Sequence, residues 1–378
     1  MILSKLKYAQ FEGDDLEWTL DELKLGKRNL IVGRNSSGKT MTLNVINGLA
    51  MYLLGAMPLS LCGNYDVTFS DGDRKIRYEL DYFDAVVRRE CFTVDGNVLL
   101  ERGQGGDGAI WAKEVNGGQK IKFQTPTDKL AAASRRDAIQ HPFLEPLHTW
   151  ANAVRLYHFG RSLGKDSLVV FSSNSKRLPD ARDQNATAAL YNRGRKEFGE
   201  EFEKAIIEDL KTAGYEIERI DIGPMLSIRM MMEGPEQVVG LRVKERDLNE
   251  VTDQYIMSQG MFRALALFIH LNYGRFTKAA ACILIDDIGE GLDFERACHV
   301  IERLRSKTQD SDVQVVLTTN DRFVMNSVPL EEWTILQRNG AHVTVRNDEN
   351  SHKAFEEFRF TGLSNFSFFE MDLISEKE

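Results

Sequence analysis

The residues best equipped for chemistry stand at the end of a glycine-punctuated loop, Gly33-Arg34-Asn35-Ser36-Ser37-Gly38-Lys39-Thr40. In the pattern G-x-x-x-x-G-K-T the backbone N–H groups of Gly33, Asn35, Ser36, Ser37 and Gly38 can wrap a nucleotide's phosphates, because glycine reaches dihedrals and close approaches that a Cβ blocks. Lys39 then reaches the β- and γ-phosphates, and the Thr40 hydroxyl serves Mg²⁺. A second pair, Asp286-Asp287, closes the apolar run 280–285. At the end of a buried strand, one aspartate can hold a metal through its water shell while its neighbour takes a proton from an attacking water. Unless a ligand compensates them, two carboxylates there are costly. A third stretch, Ser258-Gln259-Gly260-Met261-Phe262-Arg263, opens a helix and leaves free N–H groups at its N-terminus.

These groups need elements to position them. Asn29 to Val32 reads as a buried strand, and Leu43, Ile46, Leu49, Ala50 and Leu53 fall on one face of a helix from Lys39 to about Leu54, whose positive end meets the anion. Residues 1–25 suggest two strands beside the nucleotide strand; Tyr8 or Phe11 either stacks on adenine or belongs to the core. Short alternating runs from Tyr65 to about Phe123, punctuated by Asp71-Gly72 and Asp95-Gly96, predict an antiparallel subdomain. From Pro126 the period becomes helical, over 130–138, 143–153 and, later, 196–213, with a strand at 154–157. Strands are expected at 215–222, 225–232 and 237–244, a helix at 294–306, a buried strand at 313–319 and a hairpin turning at Asn339-Gly340. This divides the chain into 1–125, 126–277, 278–347 and a tail, 348–378.

Composition sets the broad class. The chain has 378 residues, 42% hydrophobic and 28% charged, which suits a folded globular protein. Four cysteines without CxxC spacing argue against zinc ribbons and disulfide frameworks and suit a reducing cytoplasm. No secretory signal or bilayer-length apolar run is evident, so no membrane partner is expected. The net charge is −9, yet residues 161–196 carry eight cations against three acids, a basic insert of +5. Its serine-rich 172–175 reads as a mobile loop, and its cations as either a nucleic-acid or acidic-protein contact or a solvated surface.

Taken in order, the phosphate loop, Ser258-Gln259-Gly260, Asp286-Asp287 with Leu292-Asp293, and Asn320 twenty-seven residues after Asp293 resemble the ABC-type ATPases of the SMC, RecF and OLD group, particularly stand-alone "AAA family ATPases" of bacterial defence loci. The resemblance implies an α/β fold: a P-loop ATPase head with a mixed sheet core, an antiparallel β subdomain and a helical signature lobe. It implies ATP and Mg²⁺ as cofactors, Lys39 and Thr40 on phosphate and metal, and Asp286 on the metal. Asp287 and Lys39 would act in catalysis, Ser258 and Gly260 would complete the site of a second subunit, and Asp293 would lie at the interface. Two residues depart from the pattern: Asp287 is about 1.5 Å shorter than the usual glutamate, and Asn320 replaces the switch histidine. The γ-phosphate-sensing glutamine is assigned to Gln124, with Gln140 behind it.

These implications predict a slow ATPase that forms a homodimer, or a higher homo-oligomer, through ATP. No heptad arms follow the loop and only 58 residues follow Asn320, so effector chemistry, a nuclease or toxin in anti-phage defence, is expected in another chain. A RecF-like repair protein, a transporter subunit and an ATP-locked scaffold are the rival readings.

Overall fold

The computed structural model describes residues 1–171, 179–227, 237–279, 282–309 and 311–371. Its first part runs β1 (Ile2–Gln10), β2 (Trp18–Lys24), β3 (Arg28–Val32), α1 (Lys39–Leu53), then the meander β4 (Cys62–Asp71), β5 (Arg74–Phe83), β6 (Val86–Val94), β7 (Asn97–Arg102), β8 (Asp107–Ala112) and β9 (Gln119–Gln124). Next come α2 (Ala131–Ser134), α3 (Glu145–Ala153), β10 (Val154–His158), β11 (Val169–Phe171), α4 (Thr187–Phe198), α5 (Glu200–Thr212), β12 (Ile217–Pro224), β13 (Gln237–Glu245), β14 (Val251–Asp253) and α6 (Gln259–Thr277). The chain continues through β15 (Cys282–Asp286), α7 (Phe294–Gln309), β16 (Gln314–Thr318), α8 (Arg322–Ser327), β17 (Trp333–Asn339), β18 (His342–Asn347), α9 (His352–Arg359) and α10 (Asn365–Glu370).

One fourteen-stranded sheet holds most of these strands, in the order β10-β15-β16-β3-β17-β18-β2-β1-β4-β5-β6-β7-β8-β9. Neighbouring strands from β10 to β17 are parallel, and β15 and β16 are buried along their whole length, which is why Ile283-Leu284-Ile285 and Val315-Val316-Leu317 read as apolar runs. The antiparallel strands β4–β9 continue the same sheet, with Asp-Gly turns where expected. β1 and β2 do not flank β3: the hairpin β17–β18 lies between, pairing Trp333 with Leu30 on one side and His342 with Thr19 on the other. Tyr8 is buried against Trp18 and Tyr65, so it is a core aromatic.

Two cores sandwich the sheet. α1 and α3 cover Ile31, Val316 and Leu284, while α6, α7 and the C-terminal aromatics Phe355, Phe358 and Phe368 cover Leu30, Leu317 and Ile335. A second sheet, β11-β13-β12 with β14 on β13, packs beside α5 and α6. The expected helix 196–213 is two helices, because Gly199 takes φ +66° and Glu200, Glu201 and Glu203 start α5 afresh. The expected helix 130–138 is one turn, α2, its first N–H groups held by the buried Glu90 carboxylate. Most of the expected strand 225–232 lies outside the described residues. Among the described residues the longest helix is α6, and no helix is long and apolar enough to cross a membrane.

α6 also buries a histidine. His270 shares a hydrogen bond with the Thr187 hydroxyl at 3.2 Å, and its Nδ1 has no partner. Burial pushes its pKa down to about 3, so the folded chain keeps it neutral where the unfolded chain protonates it. This contribution is complete above pH about 6.5 and is lost as pH falls toward 3, at roughly 1.4 kcal/mol per pH unit. Melting curves between pH 7.5 and 5 should show wild type losing stability more steeply than His270→Gln; parallel curves would refute this.

Candidate functional site

β3 runs out at Val32 and α1 begins at Lys39, so the loop between them sits at the C-terminal edge of the parallel strands. Gly33 has no room for a side chain: a Cβ would lie 2.4 Å from Ser37 Oγ and 2.8 Å from the Leu336 carbonyl. Gly38 takes φ +104° with Trp18 against it, turning the chain into the helix. α1 has neither a side-chain cap nor an acid in its first turn, so its positive end is left for an anion. The buried Ser37 Oγ has no partner. Lys39 folds back over the loop, its Nζ donating to the carbonyls of Gly33 at 2.7 Å and Arg34 at 3.2 Å. Burial lowers its pKa, against the opposing pull of Asp287 and Asp286.

Asp286 faces this loop from the end of β15. Thr40 Oγ1 donates to its Oδ2 at 2.9 Å, Thr318 Oγ1 to its Oδ1 at 2.7 Å, and His158 Nδ1 lies 3.2 Å from Oδ2. Burial raises the Asp286 pKa, but the hydrogen bonds from His158, Thr318 and Thr40 outweigh it and hold the carboxyl below its ordinary value. Asp287 goes the other way, raised by burial and then by Asp286 and Glu290, with Lys39 and His158 opposing. It sits at φ +53°, its N–H bound to Thr318 Oγ1 at 2.9 Å, so one threonine orders both aspartates. An ionised carboxylate beside a more basic one suits cation holding next to proton acceptance.

Asn35, Ser36, Ser37, Gly38, Lys39, Thr40, Asp287 and Asn320 line one open cleft of about 660 Å³, together with Trp18 and Arg338. Gln124 is elsewhere: it is exposed at the end of β9, the far edge strand, its carbonyl accepting from Arg135. Gln140 does not line the cleft either. The residue that does stand beside Asp286 is His158, the residue directly after the expected strand 154–157, which belongs to no motif in the sequence. Thr318 and Arg338 were also missed; Arg338 ties the turn at Gly340 to the Ser36 carbonyl.

Ser258, Gly260 and Asp293 form a second group outside the cleft. Ser258 caps α6, accepting from the Met261 N–H at 3.2 Å, and is exposed. A Cβ on Gly260 would lie 2.7 Å from the Gly291 carbonyl, so α6 abuts the loop that carries Asp293. Asp293 is exposed and paired with Arg296 at 2.7 Å. Arg263 ties α6 to the loops that follow β10 and β15: its buried guanidinium donates to the carbonyls of Glu290, Arg161 and Gly160 at 2.7, 3.1 and 2.5 Å.

Among the described residues of the basic segment 161–196, three of the cations are held in ion pairs. Arg182 pairs with Asp180 at 2.9 Å, Arg193 with Glu197 at 2.7 Å and Arg195 with Glu203 at 3.1 Å. The last two stand on α4, which packs on α6. Acids just outside the counted segment neutralise them, so the local excess of cations overstated the field. Lys176, Arg177 and the serine-rich stretch lie outside the described residues.

No family model and no curated protein sequence matches the chain. Solved structures do. An SMC head bound to the C-winged helix domain of ScpA superposes with a TM-score of 0.54 at 13% identity, covering 93% of this chain and 100% of that one. An SMC head domain with an extended coiled coil, bound to the C-terminal domain of ScpA derived from Pyrococcus furiosus, gives 0.50 at 13% identity, covering 95% and 99%. With its large mixed sheet, beside which a separate small antiparallel sheet is present, the chain has the fold of SMC head domains.

Proposed function

We propose that this chain binds ATP with Mg²⁺ in the cleft, hydrolyses it slowly, and associates with a second copy across the nucleotide. The observation that carries the reading is the meeting of Lys39, Thr40, Asp286 and Asp287 at one edge of the parallel strands. The residues fit the ligand: an uncapped helix end, an unpartnered Ser37 hydroxyl and a glycine cradle match phosphate, while Thr40 and Asp286 match a divalent cation. The cation would neutralise phosphate charge. Lys39 would leave the loop carbonyls for phosphate oxygens, and Asp287, made more basic by its surroundings, would take the proton of the attacking water. Its short reach and Asn320 in the cleft keep turnover slow.

Association rests on the second group. Ser258 and Asp293 are exposed and are not among the residues lining the cleft, and large apolar side chains follow or precede them closely in the chain: Ile256 is 61% exposed and Phe294 52%, with Leu16 at the cleft rim 67% exposed. A second copy would cover these surfaces. Sedimentation should show ATP with Mg²⁺ driving dimer formation in wild type and not in Ser258→Arg; an assembly state indifferent to nucleotide would refute the arrangement. Control of a partner nuclease or toxin in the cytoplasm, as in anti-phage defence, is supported by the sequence resemblance alone.

A further inference from the structure

Strand register puts an imidazole where the cation would sit. β10 pairs with β15 in parallel, placing His158 opposite Asp286, and the Phe159 N–H donates to the Asp286 carbonyl at 2.9 Å, which carries the pairing to the strand's last residue. The His158 backbone N–H donates to Gln184 Oε1 at 2.7 Å, which fixes the backbone from which the ring projects. Its side chain is only 13% exposed. Nδ1 meets the same Asp286 oxygen that accepts from Thr40, at 3.2 and 2.9 Å respectively. A hydroxyl, a carboxylate and a ring nitrogen from three separate elements therefore converge on one point.

Resting on the nucleotide reading above, we propose that His158 is a metal ligand of this site and that it makes the site prefer a first-row transition cation such as Mn²⁺ to Mg²⁺. Mg²⁺ demands near-ideal octahedral oxygen coordination and gives up water reluctantly. Imidazole nitrogen instead binds transition metals well. Thr40, Asp286 and phosphate oxygens suit either cation, so His158 is the donor that discriminates. With Nδ1 on the cation, Nε2 carries the ring proton, and no described group competes for Nδ1 except Asp286. Gln184 is the positioning residue, because it fixes the backbone from which the ring projects.

The test uses full-length protein with a non-hydrolysable ATP analogue and Mn²⁺, read by pulsed electron paramagnetic resonance. Histidine labelled with ¹⁵N should give a protein ¹⁵N coupling to the bound Mn²⁺, distinct from any adenine ¹⁴N coupling, and His158→Gln should abolish it. Competition with Mg²⁺ should show the Mn²⁺ preference falling about tenfold in His158→Gln. If nucleotide-dependent Mn²⁺ binding occurs without the ¹⁵N coupling, or with the same preference in the variant, His158 is no ligand and the nucleotide reading survives. If neither cation supports analogue binding by calorimetry, the nucleotide reading itself fails. The labelled wild-type measurement needs no variant, so a folding defect in His158→Gln leaves the proposal open to refutation.

Discussion

Lys39→Ala is expected to lose at least about 100-fold in ATP affinity while keeping its fold. Nζ now satisfies two loop carbonyls at a cleft open to solvent, and water can replace it there. On phosphate it would make charge-assisted hydrogen bonds, each contributing about 1.5–3 kcal/mol. Two of them, less the loop bonds surrendered, leave roughly 3 kcal/mol, which is about two orders of magnitude in affinity. The lowered Lys39 pKa points the same way, since burial already disfavours its charge and an anion would restore it. Calorimetry should find binding in wild type and none in the variant at matched concentrations, with melting temperatures within ~3 °C. Micromolar binding by Lys39→Ala would remove the basis of the proposed function.

Asp287→Asn should cut hydrolysis by about 10²-fold or more and leave ATP affinity within about threefold. A positioned general base contributes on the order of 10²–10⁴, and the amide keeps the size of the carboxylate but cannot accept the proton. The backbone should tolerate the change: φ is +53°, a region asparagine enters as readily as aspartate, and the N–H bond to Thr318 does not involve the side chain. Replacing one of two adjacent carboxylates also relieves repulsion, so the nucleotide-bound assembly should persist longer. Phosphate release and sedimentation measured together decide the matter. If wild type already releases phosphate at background rate, the chain is an ATP-locked scaffold, and the variant will then be indistinguishable from it.

Where a feature depends on a residue's own dihedrals or on local periodicity, the sequence determined it. Gly33 and Gly38 bracket the phosphate loop because only glycine fits the contact and the φ found there. Ser258 starts α6 as a cap, and Asp71-Gly72, Asp95-Gly96 and Asn339-Gly340 turn their hairpins. The apolar runs of β15 and β16 were legible because strands covered on both faces have no polar side to show.

Tertiary structure decided which strands are neighbours, and with that the rest of the site. Residues more than 300 positions apart pair when β17–β18 enters between β3 and β2, a choice that no local pattern contains, because every strand offers the same backbone donors and acceptors. The same indifference hid His158, whose place beside Asp286 follows from the register of β10 on β15. It also misplaced Gln124: a strand before a helical lobe looked like the lobe's entry, whereas the strand that reaches the site is β10, and β9 closes the far edge. The field of the basic segment also depends on folding. Charge counted along the chain ignores partners such as Glu203, which folding brings to Arg195 across the break at Gly199. Side-chain type is a property of one residue, but a coordination shell or an ion pair is a distance between two, and only the folded chain sets that distance.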